Sequence, residues 1–130
     1  RIFEHYSKSL EIEPQKISFN AMDEELLKRA MEIVSKNIDN IEFSADDFAR
    51  DMHMSRSNLH LKLKAITGES TIEFIRKIRF KKACELLEDG RYTVAEVSTM
   101  VGFNTPSYFA TSFKKYFGYL PTEYIKNRRG

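Results

Sequence analysis

Between Arg56 and Lys64 the chain gathers a guanidinium, a primary amide, an imidazole and a hydroxyl. Arg56, Ser57, Asn58, His60, Leu61 and Lys64 all fall off the apolar positions Leu59 and Leu63. Arg56 and Asn58 carry donors and acceptors that match guanine and adenine edges, and His60 suits a base edge or a phosphate. Fifty residues on, Thr105, Pro106, Ser107, Ala110, Thr111 and Lys114 hold the corresponding places. Ala110 and Thr111 are small contacts fit for a thymine methyl. Lys62, Lys64, Arg76, Lys77, Tyr108, Lys114 and Lys115 are of the kinds that hold phosphates, which positions a protein without specifying sequence. A single such cation is also what any solvated helix face carries, so the weight lies on the repeated pattern.

The elements that must position these side chains are repeated as well. The stretch SADDFARDMHMSRSNLHLKLKAITG is followed by TVAEVSTMVGFNTPSYFATSFKKYFG. Phe48, Ala49, Met52 and Met54 match Val97, Ser98, Val101 and Phe103 at an offset of 49; Ser57, Leu59, Leu63, Lys64 and Gly68 match Ser107, Phe109, Phe113, Lys114 and Gly118 at 50. Each copy reads as a short helix, a tight turn and a longer basic helix, the outline of a helix-turn-helix. In the first copy, Ser44 with Asp47 forms a capping box, Ser55 caps the second helix and Gly68 ends it in a left-handed conformation. In the second, Thr93 with Glu96 forms the box, Gly102 permits the turn, and Thr105 and Pro106 are N-cap and first residue. The spacing predicts core stripes of Ala45, Phe48 and Met52, of Leu59, Leu63 and Ile66, of Val94, Val97 and Val101, and of Phe109, Phe113 and Tyr116.

Before the repeat, a helix capped by Asp23 carries Leu26, Leu27, Ala30, Ile33, Val34 and Ile38 at helical spacing. Between the copies, a helix over residues 71–88 buries Ile72, Ile75, Ile78, Ala83, Leu86 and Leu87 and stops at Gly90. Pro121 opens a last short helix. The expected fold is all-α, with about seven helices in two helix-turn-helix subdomains, 22–69 and 90–130, joined by a linker helix over 70–89. Residues 1–21 form an arm from an upstream domain. A linker of this length spans roughly 27 Å at 1.5 Å per residue. It could set the two reading helices one DNA turn apart, on two successive major grooves.

Charge divides at the first reading helix. Residues 1–53 hold seven Lys and Arg against twelve Asp and Glu, a net of −5; residues 54–130 hold fourteen against seven, a net of +7. That asymmetry favours a polyanionic partner for the second part. No apolar run reaches membrane-spanning length and no signal peptide core precedes the repeat, so a cytoplasmic setting is expected. Cys84 is the one cysteine and reads as packing. The aromatic series Tyr108, Phe109, Phe113, Tyr116 and Phe117 suits stacking on single-stranded bases less well than a core stripe, Tyr108 excepted. Paired carboxylates, a phosphate-cradling glycine loop, a nucleophile motif and metal-ligand spacing are all missing, so neither an enzyme nor a cofactor is expected in this region. Because the chain begins with Arg1 rather than Met, it reads as part of a longer polypeptide.

The second copy and its tail, VAEVSTMVGFNTPSYFATSFKKYFGYLPTEYIKNRR, resemble the signature of AraC/XylS-type transcription regulators. The matching residues are Val101, Gly102, Phe103, Ser107, Tyr108, Phe109, Phe113, Lys114, Lys115, Gly118, Pro121 and Tyr124, and MSRSNLHLKLKAITG resembles the first reading helix of that family. The resemblance implies a double helix-turn-helix that binds double-stranded DNA and activates transcription. It places base contacts on Ser57, His60, Leu61, Pro106, Ser107 and Thr111, of which Leu61 and Pro106 cannot donate a hydrogen bond from the side chain. The stretch from Lys16 to Gly68 is further similar to the output region of hybrid two-component sensor-regulators of Bacteroidetes. This implies a receiver domain upstream and a histidine kinase and membrane sensor in the full-length protein, with RNA polymerase and a second copy on direct DNA repeats as further partners. A different class of function stays open: a helical module that docks a receiver or polymerase through its acidic first helix, Asp23, Glu24 and Glu25 included.

Overall fold

A computed structural model describes residues 20–129 of the chain; of the arm expected over residues 1–21, residues 1–19 lie outside the described residues. Seven α-helices follow one another, and no strand occurs among the described residues: α1 (Ala21–Lys36), α2 (Ala45–Asp51), α3 (Arg56–Thr67), α4 (Thr71–Asp89), α5 (Val94–Met100), α6 (Pro106–Phe117) and α7 (Pro121–Arg129). Two compact units divide them. One comprises residues 20–37 and 42–78, and the other residues 38–41 and those from 79 onward. The division cuts α4, so the long helix belongs in part to each unit.

In the first unit, α1 packs on α2 and α3. Leu27, Ala30 and Val34 of α1 meet a core made by Phe43, Phe48, Ala49, Met52, Leu59, Leu63, Ile66 and the start of α4. The rings of Phe48 and Phe74 stack with centroids 6.0 Å apart. The cap of α1 lies three residues before the expected one. Asn20 is the N-cap, and its side-chain oxygen accepts from the backbone N–H of Met22 and Asp23, each at 3.0 Å. Asp23 is thus a buried first-turn residue. Acids in the first turn suit the positive end of the helix dipole, which is why the acidic run marked the right region and the wrong residue. Ile38 lies past the end of α1, in the other unit.

In the second unit, Phe80, Ala83, Leu86 and Leu87 of α4 meet Val97, Val101, Phe103, Phe109, Phe113, Phe117 and Tyr124. Phe113 stands edge-on to Phe80 at 5.9 Å and lies against Phe117 at 4.4 Å. Phe117 therefore takes the core place expected for Tyr116. The two positions are equally compatible with a 3.6-residue period, and the apolar ring goes inward while the phenol stays partly exposed. Tyr116 still packs a face on Phe80 at 4.8 Å. Ile72 was a second expected core residue that the fold turns outward; it is 57% exposed. Phe74, Phe80 and Arg79 supply the buried α4 positions that spacing alone had not marked.

Arg79 is buried, and among the described residues no carboxylate forms an ion pair with it. Its guanidinium donates to the carbonyls of Ile38 and Val101, each at 2.7 Å, and of Asn40 at 3.1 Å. The Val101 carbonyl lies at the turn between α5 and α6, beside Gly102, whose φ is +83°. A Cβ on Gly102 would lie 1.7 Å from Nη1 of Arg79 and 2.5 Å from the Ile38 carbonyl oxygen. Gly118 ends α6 at φ +93° with open space around it.

These two glycines separate backbone strain from steric conflict. Gly118→Ala should cost about 1 kcal/mol, the left-handed penalty alone. Gly102→Ala should cost about 3 kcal/mol or more, because it also displaces a buried, hydrogen-bonded cation. Urea unfolding midpoints of the two variants check the order. Ser98 offers the opposite sign: its hydroxyl is buried with no hydrogen-bond partner, where the first copy has Ala49. Ser98→Ala should stabilise the chain by about 1 kcal/mol by removing that desolvated group, read as a rise in thermal midpoint.

Candidate nucleic-acid interface

Both copies build the same turn from the same backbone hydrogen bonds. Met54 N–H donates to the Ala49 carbonyl and Phe103 N–H to the Ser98 carbonyl, both at 2.9 Å. His53 N–H reaches Arg50 O at 3.0 Å and Gly102 N–H reaches Thr99 O at 3.1 Å. The turn demands one left-handed residue. His53 supplies it in the first copy at φ 60°, where the second uses glycine. The helix that follows is capped alike in each: Ser55 Oγ accepts from Asn58 N–H and Thr105 Oγ1 from Tyr108 N–H, both at 3.1 Å. Gly68 and Gly118 close the helices, their N–H groups donating to Lys64 O at 2.9 Å and Lys114 O at 2.7 Å.

These fixed ends set the rotation of α3 and α6. In α3, Leu59, Leu63 and Ile66 face the core, so Ser57, His60, Leu61 and Lys64 form the opposite stripe at i, i+3, i+4 and i+7. Arg56 and Asn58 flank it, and all six are exposed. In α6, Phe109, Phe113 and Phe117 face inward. Ser107, Ala110, Thr111 and Lys114 form the matching outward stripe, with Pro106 and Thr105 at its start; Ala110 is half-buried and the others are exposed. Tyr108 is exposed beside Phe103, at 5.6 Å between ring centroids.

The residues expected to meet phosphate differ in availability. Lys62, Lys64, Arg76, Lys114 and Lys115 are exposed. Lys77 is half-buried in an ion pair with Glu69 at 3.2 Å, its side chain 14% exposed. Arg56 lies 3.5 Å from Asp46 in a pair open to solvent on both sides, which is weak enough for a polyanion to displace. The capping box at the start of α4, Ser70 with Glu73, fastens the helix next to the α3 stripe. Ser70 N–H donates to Glu73 Oε1 at 2.8 Å, and Glu73 N–H to Ser70 Oγ at 3.2 Å. Those bonds from Ser70 hold the Glu73 carboxyl below its ordinary value.

Four of the expected site residues, Arg56, Ser57, His60 and Leu61, line one open concavity of about 740 Å³. Asn58, Lys62 and Lys64 do not line it. Its remaining walls are Ala45 of α2 and Ser70, Thr71 and Ile72 at the start of α4. Sequence patterns had missed Ile72 because an apolar residue in a first helical turn reads as core. No group of three or more His, Cys, Asp and Glu residues with metal-binding geometry occurs among the described residues. No described helix is long and apolar enough to cross a membrane. The Cys84 thiol is buried, and that burial pushes its pKa up to about 12, leaving it a poor nucleophile.

Comparison with known proteins agrees with this geometry. A family described as "Helix-turn-helix domain" matches residues 48–127. A histidine kinase P4 of Formosa agariphila is 37% identical over 124 residues, covering 95% of this chain, and the chain spans only 9% of that kinase. The C-terminal domain of AraT, a response regulator of Geobacillus stearothermophilus, superposes with a TM-score of 0.72 at 30% identity, covering 78% of this chain and 84% of that domain. The DNA-binding domain of AdpA, a global transcriptional factor solved in complex with a target DNA, superposes with a TM-score of 0.70 at 25% identity, covering 82% of this chain and 92% of that one. Two turns closed by equivalent hydrogen bonds, two capped helices with outward polar stripes, and a family match across both of them show that the chain belongs to the AraC-type helix-turn-helix domains.

Proposed function

We propose that the chain is the DNA-reading output domain of a longer signalling protein and regulates transcription as an activator. Helices α3 and α6 enter successive major grooves of one duplex. The observation that carries this reading is the repeated outward stripe: in both copies an i, i+3, i+4, i+7 row, exposed but for the half-buried Ala110, stands opposite a fully buried row and is held by equivalent caps and turns. The AdpA domain, bound to its target DNA, supports the same reading.

Base contacts fall to Arg56, Ser57, Asn58, His60 and Leu61 on α3 and to Pro106, Ser107 and Thr111 on α6. Lys62, Lys64, Arg76, Tyr108, Lys114 and Lys115 hold phosphates. Lys77 drops out of that set, because binding a phosphate would strip Glu69 of its half-buried partner. The likeness to a histidine kinase and to the C-terminal domain of a response regulator supports a receiver domain upstream in the same polypeptide. RNA polymerase and a second copy on a direct repeat complete the set of partners. Exposed Met22, Glu24 and Glu25 on α1 form the face offered to the receiver. Buried Asp23 serves the fold instead, so a docking test should change Glu24 and Glu25.

Selection of bound sites from random duplexes tests the function, with a motif spanning two grooves as the expected result and no preference over random DNA as the refuting one. On the selected site, Arg56→Ala should cost about 1–3 kcal/mol, confined to one base position, if it reads a base edge. Lys114→Ala should weaken all sequences alike and reduce the salt slope by about 1. Lys77→Ala should leave that slope unchanged. Fluorescence anisotropy across a salt series distinguishes the three.

A further inference from the structure

Leu61 and Ile72 are among the few large apolar side chains left open on the described surface, at 64% and 57% exposed. They come from different helices, α3 and α4, yet line the same concavity as Arg56, Ser57 and His60. Exposed leucine or isoleucine placed singly has no meaning. Two of them sharing a recess with three hydrogen-bonding side chains make a mixed surface, in which the α3 and α4 sides each carry one apolar residue beside polar ones. In the major groove, thymine presents a C5 methyl beside the O4 acceptor, and no other base carries that methyl. The recess has the matching pair of features: apolar carbon from Leu61 and Ile72, and donors from Arg56, Ser57 and His60. Its volume of about 740 Å³ admits a base edge without rearrangement. The recess also belongs to the outward stripe of α3, so a duplex engaging that stripe covers it.

We propose that Leu61 and Ile72 together form a methyl-reading ledge that selects thymine at one position of the DNA site, with Ile72 a specificity-determining residue contributed from outside the helix-turn-helix. The proposal rests on the DNA-binding reading above and assigns a particular chemistry to one part of it. Ile72 adds discrimination rather than anchoring: it has no hydrogen-bonding group, and its removal leaves the core intact because the side chain stands outside it.

The test uses the whole chain and its selected duplex, with each thymine replaced in turn by deoxyuridine, which differs only in lacking the methyl. At one thymine the wild-type chain should bind deoxyuridine about fourfold more weakly, the effect of one buried carbon group. Ile72→Ala and Leu61→Ala should each bind the two duplexes alike, Leu61→Ala with reduced affinity for both because it also removes a base contact, and Ile72→Ala should keep the wild-type melting temperature. Absence of any preference for the selected duplex over random DNA would remove the DNA-binding reading and this proposal together. Specific binding with no thymine sensitive to the replacement would overturn the ledge alone. A sensitive thymine whose effect survives Ile72→Ala but not Leu61→Ala would overturn the role of Ile72. Loss of promoter activation in Ile72→Ala with every duplex affinity unchanged would mean that a protein occupies the ledge, and would overturn the proposal likewise.

Discussion

The guanidinium of Arg79 is the contact on which the second helix-turn-helix rests. It is a full charge buried among carbonyl oxygens, those of Ile38, Asn40 and Val101, with no carboxylate of the described residues at contact distance. Three carbonyl dipoles take the place of a counter-ion, and the nearby Asp39 adds a favourable field. Burial lowers the pKa of the group, but arginine starts so high that it stays charged. The planar fork of donors is what lets one side chain satisfy carbonyls in two different turns. A lysine in the same place would bring a point charge with no such geometry. The cation occupies space that a side chain at residue 102 would need, so Gly102 and Arg79 are one structural decision made at two positions. Through Val101 that decision sets where α5 ends and hence where α6 begins.

The two copies meet one set of backbone requirements with different residues. Each turn needs a left-handed residue, and His53 and Gly102 supply it at different steric cost. Each reading helix needs an N-cap, met by Ser55 and Thr105. The inward rows differ in bulk, Leu59, Leu63 and Ile66 against Phe109, Phe113 and Phe117, and Phe80 fills the corresponding side of the aromatic core. What is held in common is the rotation of the helix, and rotation alone decides which residues are presented outward. The outward rows were therefore free to diverge. The first carries guanidinium, amide and imidazole groups; the second carries hydroxyls, a proline and an alanine. Side chains with fewer donors discriminate bases less strongly, so the chemistry of the two rows points to unequal shares of sequence reading.

This separation also explains how much of the chain could be read without coordinates. Caps, glycine stops and capping boxes are local, and Ser44 with Asp47, Thr93 with Glu96, Thr105 with Pro106, and Gly68 appeared in the roles expected. The outward rows were readable as the complement of the inward ones. Apart from the cap of α1, which Asn20 takes in place of Asp23, the failures are tertiary. Ile72 looks like core because it is apolar, but a first-turn residue can project past the element it would pack against. Arg79 looks like surface because it is charged, and only the three carbonyls arriving from distant turns make its burial tolerable. Tyr116 and Phe117 are degenerate by spacing, and the phenol decides between them. The concavity was unreadable for the same reason: its walls come from the ends of three helices.

Net charge overstates the surface that a polyanion meets. Of the fourteen basic residues from Met54 onward, Arg79 is buried and Lys77 is engaged with Glu69. Arg91 is held by two oxygens of Asp89, and Lys82 stands near Glu85 at 3.8 Å. Of the others, Arg56, Lys62, Lys64, Lys114 and Lys115 lie exposed on α3 and α6 themselves, with Arg76 exposed on α4 and Lys126 on α7. Five exposed cations thus stand on the two helices that present the polar rows. Counterion release counts phosphates neutralised, not residues in a formula. Five cations on the reading helices strengthen the attraction when those helices face the duplex, so side chains that add affinity also favour the orientation in which bases can be read.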